Sequence, residues 1–269
     1  MFNLMKKQYI SPKLAEEIDM KLLKKSELDS YKISSICQKR RIKAIEASAQ
    51  LQSFRIEHPH EEVPFSVPRN KNRCYIKEGI KSIQNAMDWG RKNFNPGTID
   101  DYFIKGIAGR ITPKIYGDEK IANYRTSGTR ILGATVTPPD PYKMREIEMP
   151  KFLEDLKESL KCPKPINKIE SAIFAHLHLA RIHPFEDGNG RSSRVLQNII
   201  LDSYNVPVPV IYSGERNTYY DLLDDAVKDW KHNGGKERGI VTMGERRFYD
   251  FIAGKVNVSL DGLLEKCGH

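Results

Sequence analysis

Apolar residues in the first part of the chain recur with the period of an amphipathic helix. Within 39–57, Ile42, Ile45, Ala49 and Ile56 follow a spacing of about 3.6 residues, and lysines and arginines occupy the other side. A pattern of this kind predicts a helix with one face packed against the rest of the protein.

Prolines delimit this helical region, which we predict to extend over 11–57. Pro12 stands in the first turn, where its missing N–H is not needed. His58 precedes Pro59, and a residue before proline is pushed out of the helical conformation, so the helix should end here. The three prolines within 58–72 predict a connector.

The rest of the chain carries further helical patterns and one stretch of a different kind. Residues 124–137 mix β-branched residues with Gly128 and Gly133, which predicts a short β-hairpin closed by the prolines that follow. We therefore expect a mainly α fold, a helical bundle with one β-hairpin and an N-terminal helical extension. Helices are predicted at 76–93, 99–110, 145–161, 166–182, 188–204 and 216–230, with more helix after 230.

The composition is that of a soluble globular protein, with 39% hydrophobic and 29% charged residues. No apolar run approaches the roughly 20 residues that span a membrane, and no apolar stretch follows the basic N-terminus as in a signal peptide. The four cysteines are scattered, which argues against a zinc ribbon or a disulfide scaffold. The reducing cytoplasm is therefore the expected location.

The formal net charge of +9 would suit polyanionic partners such as ATP, nucleic acid or an acidic protein surface. The basic residues are nevertheless spread along the chain, and acidic residues accompany them. Because no basic block is interleaved with aromatic residues, the pattern argues against nucleic acid as the main partner.

The segment from His183 to Arg194, HPFEDGNGRSSR, concentrates groups suited to binding phosphates. Its Gly188-Asn-Gly190 turn follows one predicted helix and opens the next, so that backbone N–H groups and the helix dipole converge on an anion. Arg191 and Arg194 are three residues apart on the first turn of that helix, where both can bind phosphate oxygens. The segment therefore predicts a polyphosphate site.

Two further residues of this segment supply reactive groups. Asp187 is a hard oxygen ligand suited to a Mg²⁺ ion that also bridges phosphates. His183 can be neutral at physiological pH and can accept a proton from an attacking hydroxyl. Taken singly, such a turn, histidine or arginine pair is more often structural, but their occurrence in this order favours phosphoryl or nucleotidyl transfer.

The same segment resembles the signature of the Fic (filamentation induced by cAMP) family, His-x-Phe-x-Asp/Glu-Gly-Asn-Gly-Arg-x-x-Arg, at every fixed position. The likeness extends to Tyr124-Arg125, to the prolines at 138, 139 and 141, and to Tyr219–Leu223. It implies a division of the chain into an N-terminal helical region, 1–97, a catalytic core, 98–230, and a C-terminal helical tail, 231–269.

The resemblance implies a protein adenylyltransferase, in which a Fic-type helical bundle with a β-hairpin flap transfers AMP from ATP, with Mg²⁺, to a Ser, Thr or Tyr hydroxyl of a target protein. His183 would be the general base and Asp187 the Mg²⁺ ligand. By the same resemblance, the phosphates would be held by Gly188, Asn189, Gly190, Arg191 and, at the γ-phosphate, Arg194. The flap residues that would clamp the target peptide and border the nucleotide are Arg130, Ile131, Leu132 and Gly133.

Tyr219 and Tyr220 would lie near the adenine, although an aromatic pair is more often part of a core. Position 227 is Val, where some relatives use an asparagine to contact the adenine. That particular contact is therefore not expected here.

The end of the predicted helix at 39–58 resembles the inhibitory motif Ser/Thr-x-x-x-Glu-Gly/Asn that restrains many Fic proteins. Ser53 and Glu57 fill their positions, and His58 replaces the usual Gly or Asn. By this resemblance, Glu57 would pair with Arg194 and occupy the place of the γ-phosphate, so that ATP binds only unproductively. A Ser-x-x-x-Glu match also arises by chance on exposed helices, but its place upstream of the signature favours the inhibitory role.

Other functions stay open at this stage. The same site could remove AMP from a modified protein, with Glu57 positioning water, or could use a phosphate donor other than ATP. A DNA-associated regulatory or toxin module is an alternative of a different class, although 231–269 is short for a winged helix. The sequence identifies neither the target protein nor the oligomeric state, so a homo-oligomer is left open, and no membrane partner is expected.

Overall fold

The computed structural model describes residues 8–29, 34–58, 72–116, 120–131, 133–232 and 241–264. These residues are mainly helical. The helices are α1 Pro12–Asp29, α2 Ser34–Glu57, α3 Asn72–Asn93, α4 Asp101–Ile111, α5 Pro113–Tyr116, α6 Pro141–Lys143, α7 Met149–Ser159, α8 Pro165–Ile182, α9 Asn189–Ser203, α10 Arg216–His232 and α11 Met243–Leu264.

The hydrophobic pattern predicted the longer helices, although the region expected to be helical over 11–57 contains two helices, α1 and α2, and the short α5 and α6 were not predicted. Helix α2 ends at Glu57, as the following proline required, and the tail after 230 contains the long α11. The helix expected at 145–161 is less regular, because a π-helical turn, Met144–Glu148, joins α6 to α7. Pro150 follows that turn and has no N–H to donate to the carbonyl four residues before it, which removes one bond of a regular α-helix.

The expected β-hairpin is not seen, since the described residues contain no β-strand. Residues 126–131 and 133–137, which we call the flap loop, bond to other parts of the protein instead. At the base of the loop, the backbone N–H of Arg125 donates to the Pro184 carbonyl at 2.9 Å, and within it the N–H of Thr135 donates to Asp224 Oδ1 at 2.9 Å. Backbone N–H groups used in this way are not available to a strand ladder.

The core is organised around α8, which is buried along nearly its whole length. A helix that is apolar on several sides is suited to a central position, and α8 packs against α7, α9 and α10. The carboxylate of Glu170 on α8 accepts the backbone N–H groups of Tyr9 at 2.7 Å and Ile10 at 3.0 Å. This contact fixes the chain where it enters α1.

Helix α2 lies against α3, α9 and α11, while α1 packs mainly on α11. Arg91 on α3 connects two of these elements, because its guanidinium binds Glu46 on α2 and Asp202 on α9. Arg91 thereby connects the middle of α2 to the last turn of α9. Over the described residues, no helix combines the length and apolar character needed to cross a membrane.

Candidate active site

The motif loop, residues 183–188, joins α8 to α9 through two left-handed backbone positions. His183 ends α8 with a φ of 52°, and Gly188 precedes α9 with a φ of 77°. A Cβ atom at position 188 would lie 2.9 Å from the Cγ2 atoms of both Ile111 and Thr112. Glycine is therefore required here by the backbone angle and by the packing together.

Asn189 closes the motif loop with a pair of hydrogen bonds. Its Oδ1 accepts the Phe185 N–H at 2.9 Å, and its Nδ2 donates to the Phe185 carbonyl at 2.8 Å. Phe185 is fully buried. The Asn189 side chain thus fixes the loop from inside the protein, and its predicted contact with phosphate stays a prediction.

Of the two ring nitrogens of His183, one has a hydrogen-bond partner among the described residues. Its Nδ1 lies 3.3 Å from the Ala180 carbonyl, which can only accept, so the neutral ring carries its proton on Nδ1 and can accept one on Nε2. Burial lowers the pKa of His183, and the charge of Arg125 lowers it further against the opposing hydrogen bond. The imidazole is therefore neutral at physiological pH, as a general base requires.

His183 opens onto a cleft of about 620 Å³, a volume within the range of small-molecule sites. The motif loop and the first turn of α9 form one side, and α10 and the flap loop form the other. The cleft brings together most of the residues predicted for the site: Glu57, Ile131, Gly133, His183, Asp187, Gly188, Asn189, Gly190, Tyr219 and Tyr220.

The two predicted phosphate-binding arginines bind the end of α2. Glu57 Oε2 lies 2.6 Å from Arg191 Nε, and Glu57 Oε1 lies 2.9 Å from Arg194 Nη2. A Cβ atom at position 190 would lie 2.8 Å from Glu57 Oε1. The carboxylate therefore sits directly against the first turn of α9, at the N-terminal end where a helix favours an anion.

Further contacts strengthen this arrangement. Arg194 Nε donates to Ser53 Oγ at 2.8 Å, and its Nη2 donates to the Ser53 carbonyl at 3.0 Å. Burial alone would raise the pKa of Glu57, but the charges of Arg191 and Arg194 outweigh it and the pKa is lowered. Glu57 is therefore an ionised carboxylate held between two guanidinium groups.

A buried polar chain supports Arg194 from the other side. The hydroxyl of Tyr219 accepts from Arg194 Nη1 at 3.3 Å and lies 2.8 Å from His176 Nε2, while His176 Nδ1 lies 2.8 Å from Gln197 Oε1. Since that amide oxygen can only accept, His176 donates from Nδ1 and accepts the Tyr219 proton at Nε2. Burial lowers the pKa of His176 to about 3, with the Arg194 charge contributing, so the ring is neutral. Tyr219 thus orients Arg194, a role that the sequence did not predict.

The remaining predicted residues differ in their placement. Tyr220 is partly buried in the cleft wall, with the Arg216 guanidinium 5.0 Å from its ring centre. Arg130 is exposed and lies outside the cleft lining. Leu132 lies outside the described residues.

Three contacts at the site were missed by the sequence reasoning. Arg125 donates from Nε to the His183 carbonyl at 2.8 Å, and Arg216 donates from Nε to the carbonyl of Ile56, at the end of α2, at 2.7 Å. Asp224 binds the flap loop. Arg125 had a signal in the sequence, namely its place in the Fic-like Tyr124-Arg125 pair. Arg216 and Asp224 had none, because hydrophobic patterning does not distinguish one charged residue from another.

The donors at Asp187 suit a metal ion only in combination with phosphates. Asp187 is exposed, and its Oδ2 lies 3.1 Å from Arg191 Nη2. Within the described part of the chain, no cluster of three or more His, Cys, Asp or Glu could hold a metal. A single carboxylate beside a phosphate site nevertheless fits Mg²⁺, which commonly takes one or two carboxylates and completes its shell with substrate phosphates and water.

Comparison with known proteins identifies the domain. The family model described as the Fic/DOC family matches residues 98–201, and the chain therefore contains a domain of the Fic/DOC family. The protein adenylyltransferase Fic of Nematostella vectensis is 31% identical over 153 residues, which are 56% of this chain and 33% of that protein. The protein of the same name from Drosophila mojavensis is 28% identical over 223 residues, which are 73% of this chain and 42% of that protein. The chain thus spans less than half the length of either relative.

Solved structures agree with this assignment at the level of the fold. A Fic domain-containing signaling protein from Bacteroides thetaiotaomicron superimposes with a TM-score of 0.71 at 18% identity, covering 94% of this chain and 100% of that one. Fic-1 from C. elegans gives a TM-score of 0.61 at 18% identity, covering 94% of this chain and 74% of that one. The helical fold described above is therefore a Fic-domain fold.

Proposed function

We propose that the protein is a protein adenylyltransferase that transfers AMP from ATP to a Ser, Thr or Tyr hydroxyl of a target protein. The observation that carries this proposal is the placement of a neutral His183 and the N-terminus of α9 on the same cleft. The names of the relatives and the Fic/DOC domain support the same activity.

In the proposed reaction, the target hydroxyl attacks the α-phosphorus of ATP while His183 Nε2 takes its proton. The bond between that phosphorus and the bridging oxygen of the pyrophosphate breaks, and pyrophosphate leaves with the bonding electrons. The backbone N–H groups of the first turn of α9 have no partners within the helix and are available to the phosphate oxygens. Arg191 and Arg194 bind the remaining phosphate charge once Glu57 has left them.

Asp187 is the residue that would hold Mg²⁺ in this scheme, beside the phosphates. When bound, the ion neutralises part of the phosphate charge. The pairing of Asp187 with Arg191 keeps the carboxylate at the edge of the cleft, close to the start of α9.

We infer that Glu57 restrains the activity. Its carboxylate already binds both arginines that the reaction assigns to the phosphates. A γ-phosphate at Arg194 would meet this ionised carboxylate at close range, where like charges repel strongly. Productive binding of ATP therefore requires the last turn of α2 to move.

The test uses purified protein, Mg²⁺ and ATP labelled on the α-phosphate, with self-labelling and labelling of added lysate proteins as readouts. Glu57→Gly should increase labelling about tenfold or more, because it removes charge-assisted bonds to both arginines. Glu57→Gln, which keeps the size but not the charge, should give a smaller increase. Unchanged labelling in both variants, where the wild type is weak, would contradict the inhibitory role.

His183→Ala in the Glu57→Gly protein should reduce labelling by about a hundredfold or more, since it removes the general base. His232→Ala is the matched control, because that ring lies exposed near the end of α10 and binds only the Lys228 carbonyl among the described residues. ATP labelled on the γ-phosphate gives no transfer if AMP is the group moved. Transfer of the γ-label to protein would instead indicate phosphoryl transfer and would contradict the proposed adenylyl transfer.

Hydrolysis that removes AMP from a modified protein, with water as the attacking group, is a second candidate. It is favoured by one observation, the presence of the ionised Glu57 in the lining of the cleft that contains His183. Such a carboxylate could orient an attacking water. A target protein carrying AMP should then lose it faster with the wild type than with Glu57→Gly, the opposite order from the labelling assay.

A further inference from the structure

One contact outside the motif segment joins the flap loop to α10. Thr135 donates its backbone N–H to Asp224 Oδ1 at 2.9 Å and its hydroxyl to Asp224 Oδ2 at 2.7 Å. The two residues are separated by 89 positions, so the contact is tertiary and is not part of a local turn. A carboxylate that accepts from both groups of one threonine holds that residue in a defined orientation.

The other contacts of the flap loop act within the loop or at its base. The Arg125 guanidinium binds the carbonyls of Ser127 and Pro139. Near the tip, the Ala134 N–H donates to the Ile131 carbonyl at 3.1 Å. These bonds give the loop its shape. Of the hydrogen bonds seen in the described residues, the two made by Thr135 are the ones that connect it to α10.

The two elements that this contact joins both line the cleft, on the side away from the motif loop. The flap loop contributes Ile131, Gly133, Ala134 and Val136 to the lining, and helix α10 contributes Arg216, Asn217, Tyr219, Tyr220, Asp221, Leu223, Asp224 and Val227. The side chains of the flap loop and those of Tyr220, Leu223 and Val227 are apolar or aromatic, which suits the faces of a nucleobase. The contact between Thr135 and Asp224 is where these two lining elements are joined.

We propose that Asp224 is a positioning residue that fastens the flap loop to α10 and thereby forms the pocket for the nucleotide base. The inference rests on the proposed function, since the base is that of ATP. Asp224 acts through Thr135 and takes no part in the bonds that form or break. The contact restricts the flap loop before ATP binds. Less conformational entropy is then lost on binding, which increases the affinity for ATP.

The experiment compares four substitutions in the Glu57→Gly protein. Asp224→Ala removes both bonds, Thr135→Val removes the hydroxyl bond alone, and Asp224→Asn can keep both, because its amide oxygen accepts the N–H and its amide nitrogen donates to the threonine oxygen. Asp225→Ala is the matched control, as that carboxylate pairs with Arg247 instead. All three positions are exposed or partly exposed, so the proteins should fold, and their melting temperatures verify this.

The first readout is ATP binding by isothermal titration calorimetry, with the ATP dependence of self-labelling beside it. Asp224→Ala should weaken binding about three- to tenfold, as expected for two exposed hydrogen bonds, and should raise the half-saturating ATP concentration while the maximal rate changes less than about twofold. Thr135→Val should lie between Asp224→Ala and the parent. Asp224→Asn should restore parental binding, whereas a merely structural defect would not separate these variants in this order.

The second readout is hydrogen exchange of the flap-loop amides without nucleotide, which should be faster in Asp224→Ala and parental in Asp224→Asn and Asp225→Ala. Equal exchange in Asp224→Ala and its parent would overturn the proposal. If Asp224→Asn bound ATP as weakly as Asp224→Ala, the effect would be due to the negative charge of Asp224, and the proposal would also be overturned. If no variant bound ATP, the parent included, the proposed function would be overturned together with the base pocket. If ATP bound equally well to the parent and to Asp224→Ala, the base pocket alone would be overturned.

Discussion

The motif loop and the flap loop border the same cleft but are constructed in contrasting ways. In the motif loop, Phe185 is fully buried and both of its backbone polar groups are bonded by Asn189. In the flap loop, Gly128 and Gly133 have open space around them among the described residues, and the bonds to α10 are exposed. The side of the cleft that carries His183 is therefore specified by packing, and the opposite side by a few hydrogen bonds that can change without disturbing the core.

The largest contrast should appear when one apolar side chain is truncated on each side. Phe185→Ala leaves a cavity in the core and should lower the free energy of unfolding by about 3–5 kcal/mol. Ile131→Ala in the partly exposed flap loop should lower it by less than about 1 kcal/mol. Urea unfolding measures both values, and similar losses would mean that the two loops are equally packed.

A matched pair of glycines tests the same contrast at the level of the backbone. Gly188 and Gly133 have φ values of 77° and 81°, so alanine is strained at both positions by about 1 kcal/mol. At 188 the added methyl also meets Ile111 and Thr112, and overpacking brings the expected loss of unfolding free energy to about 2–4 kcal/mol. Urea unfolding should therefore show a larger loss for Gly188→Ala, and equal losses would contradict the packing described for the motif loop.

The smallest effect concerns two adjacent tyrosines of α10. Tyr219→Phe removes a buried hydroxyl that binds Arg194 and His176, and should cost about 1–2 kcal/mol in unfolding free energy. Tyr220→Phe removes a hydroxyl for which no hydrogen bond is seen among the described residues, and should cost less than about 0.5 kcal/mol. Thermal unfolding at fixed pH compares them directly, with the reverse order arguing against the polar chain behind Arg194.

The helices and the motif segment could be predicted because their signals are local. The spacing of Ile42, Ile45 and Ala49 indicates one face of a helix. The twelve residues from His183 to Arg194 are contiguous, and they form one turn followed by the start of one helix. The contact between Glu57 and Arg194, which are 137 residues apart, was predicted through the Fic resemblance. Periodicity alone contains no information on such a contact.

The parts that could not be predicted depend on how elements lie against each other. The β-branched residues and glycines of 124–137 favour a hairpin locally, but Pro184 and Asp224 take the N–H groups of Arg125 and Thr135, and tertiary contacts override local preference. The pairing of Glu57 with Arg191 as well as Arg194 depends on the way α2 crosses α9. His176 lay on an apolar helix face, and only the fold shows that its ring bonds Tyr219.

The carboxylate between Arg191 and Arg194 has a consequence for what can follow its departure. Both guanidinium groups are buried, and a buried cation deprived of its counter-ion destabilises the protein by several kcal/mol. The end of α2 can therefore leave at low cost only if another anion arrives in its place. We therefore expect one anion to replace another at the two arginines. At saturating phosphate or polyphosphate, the Glu57→Gly protein should regain the stability that it lacks in a buffer without such anions.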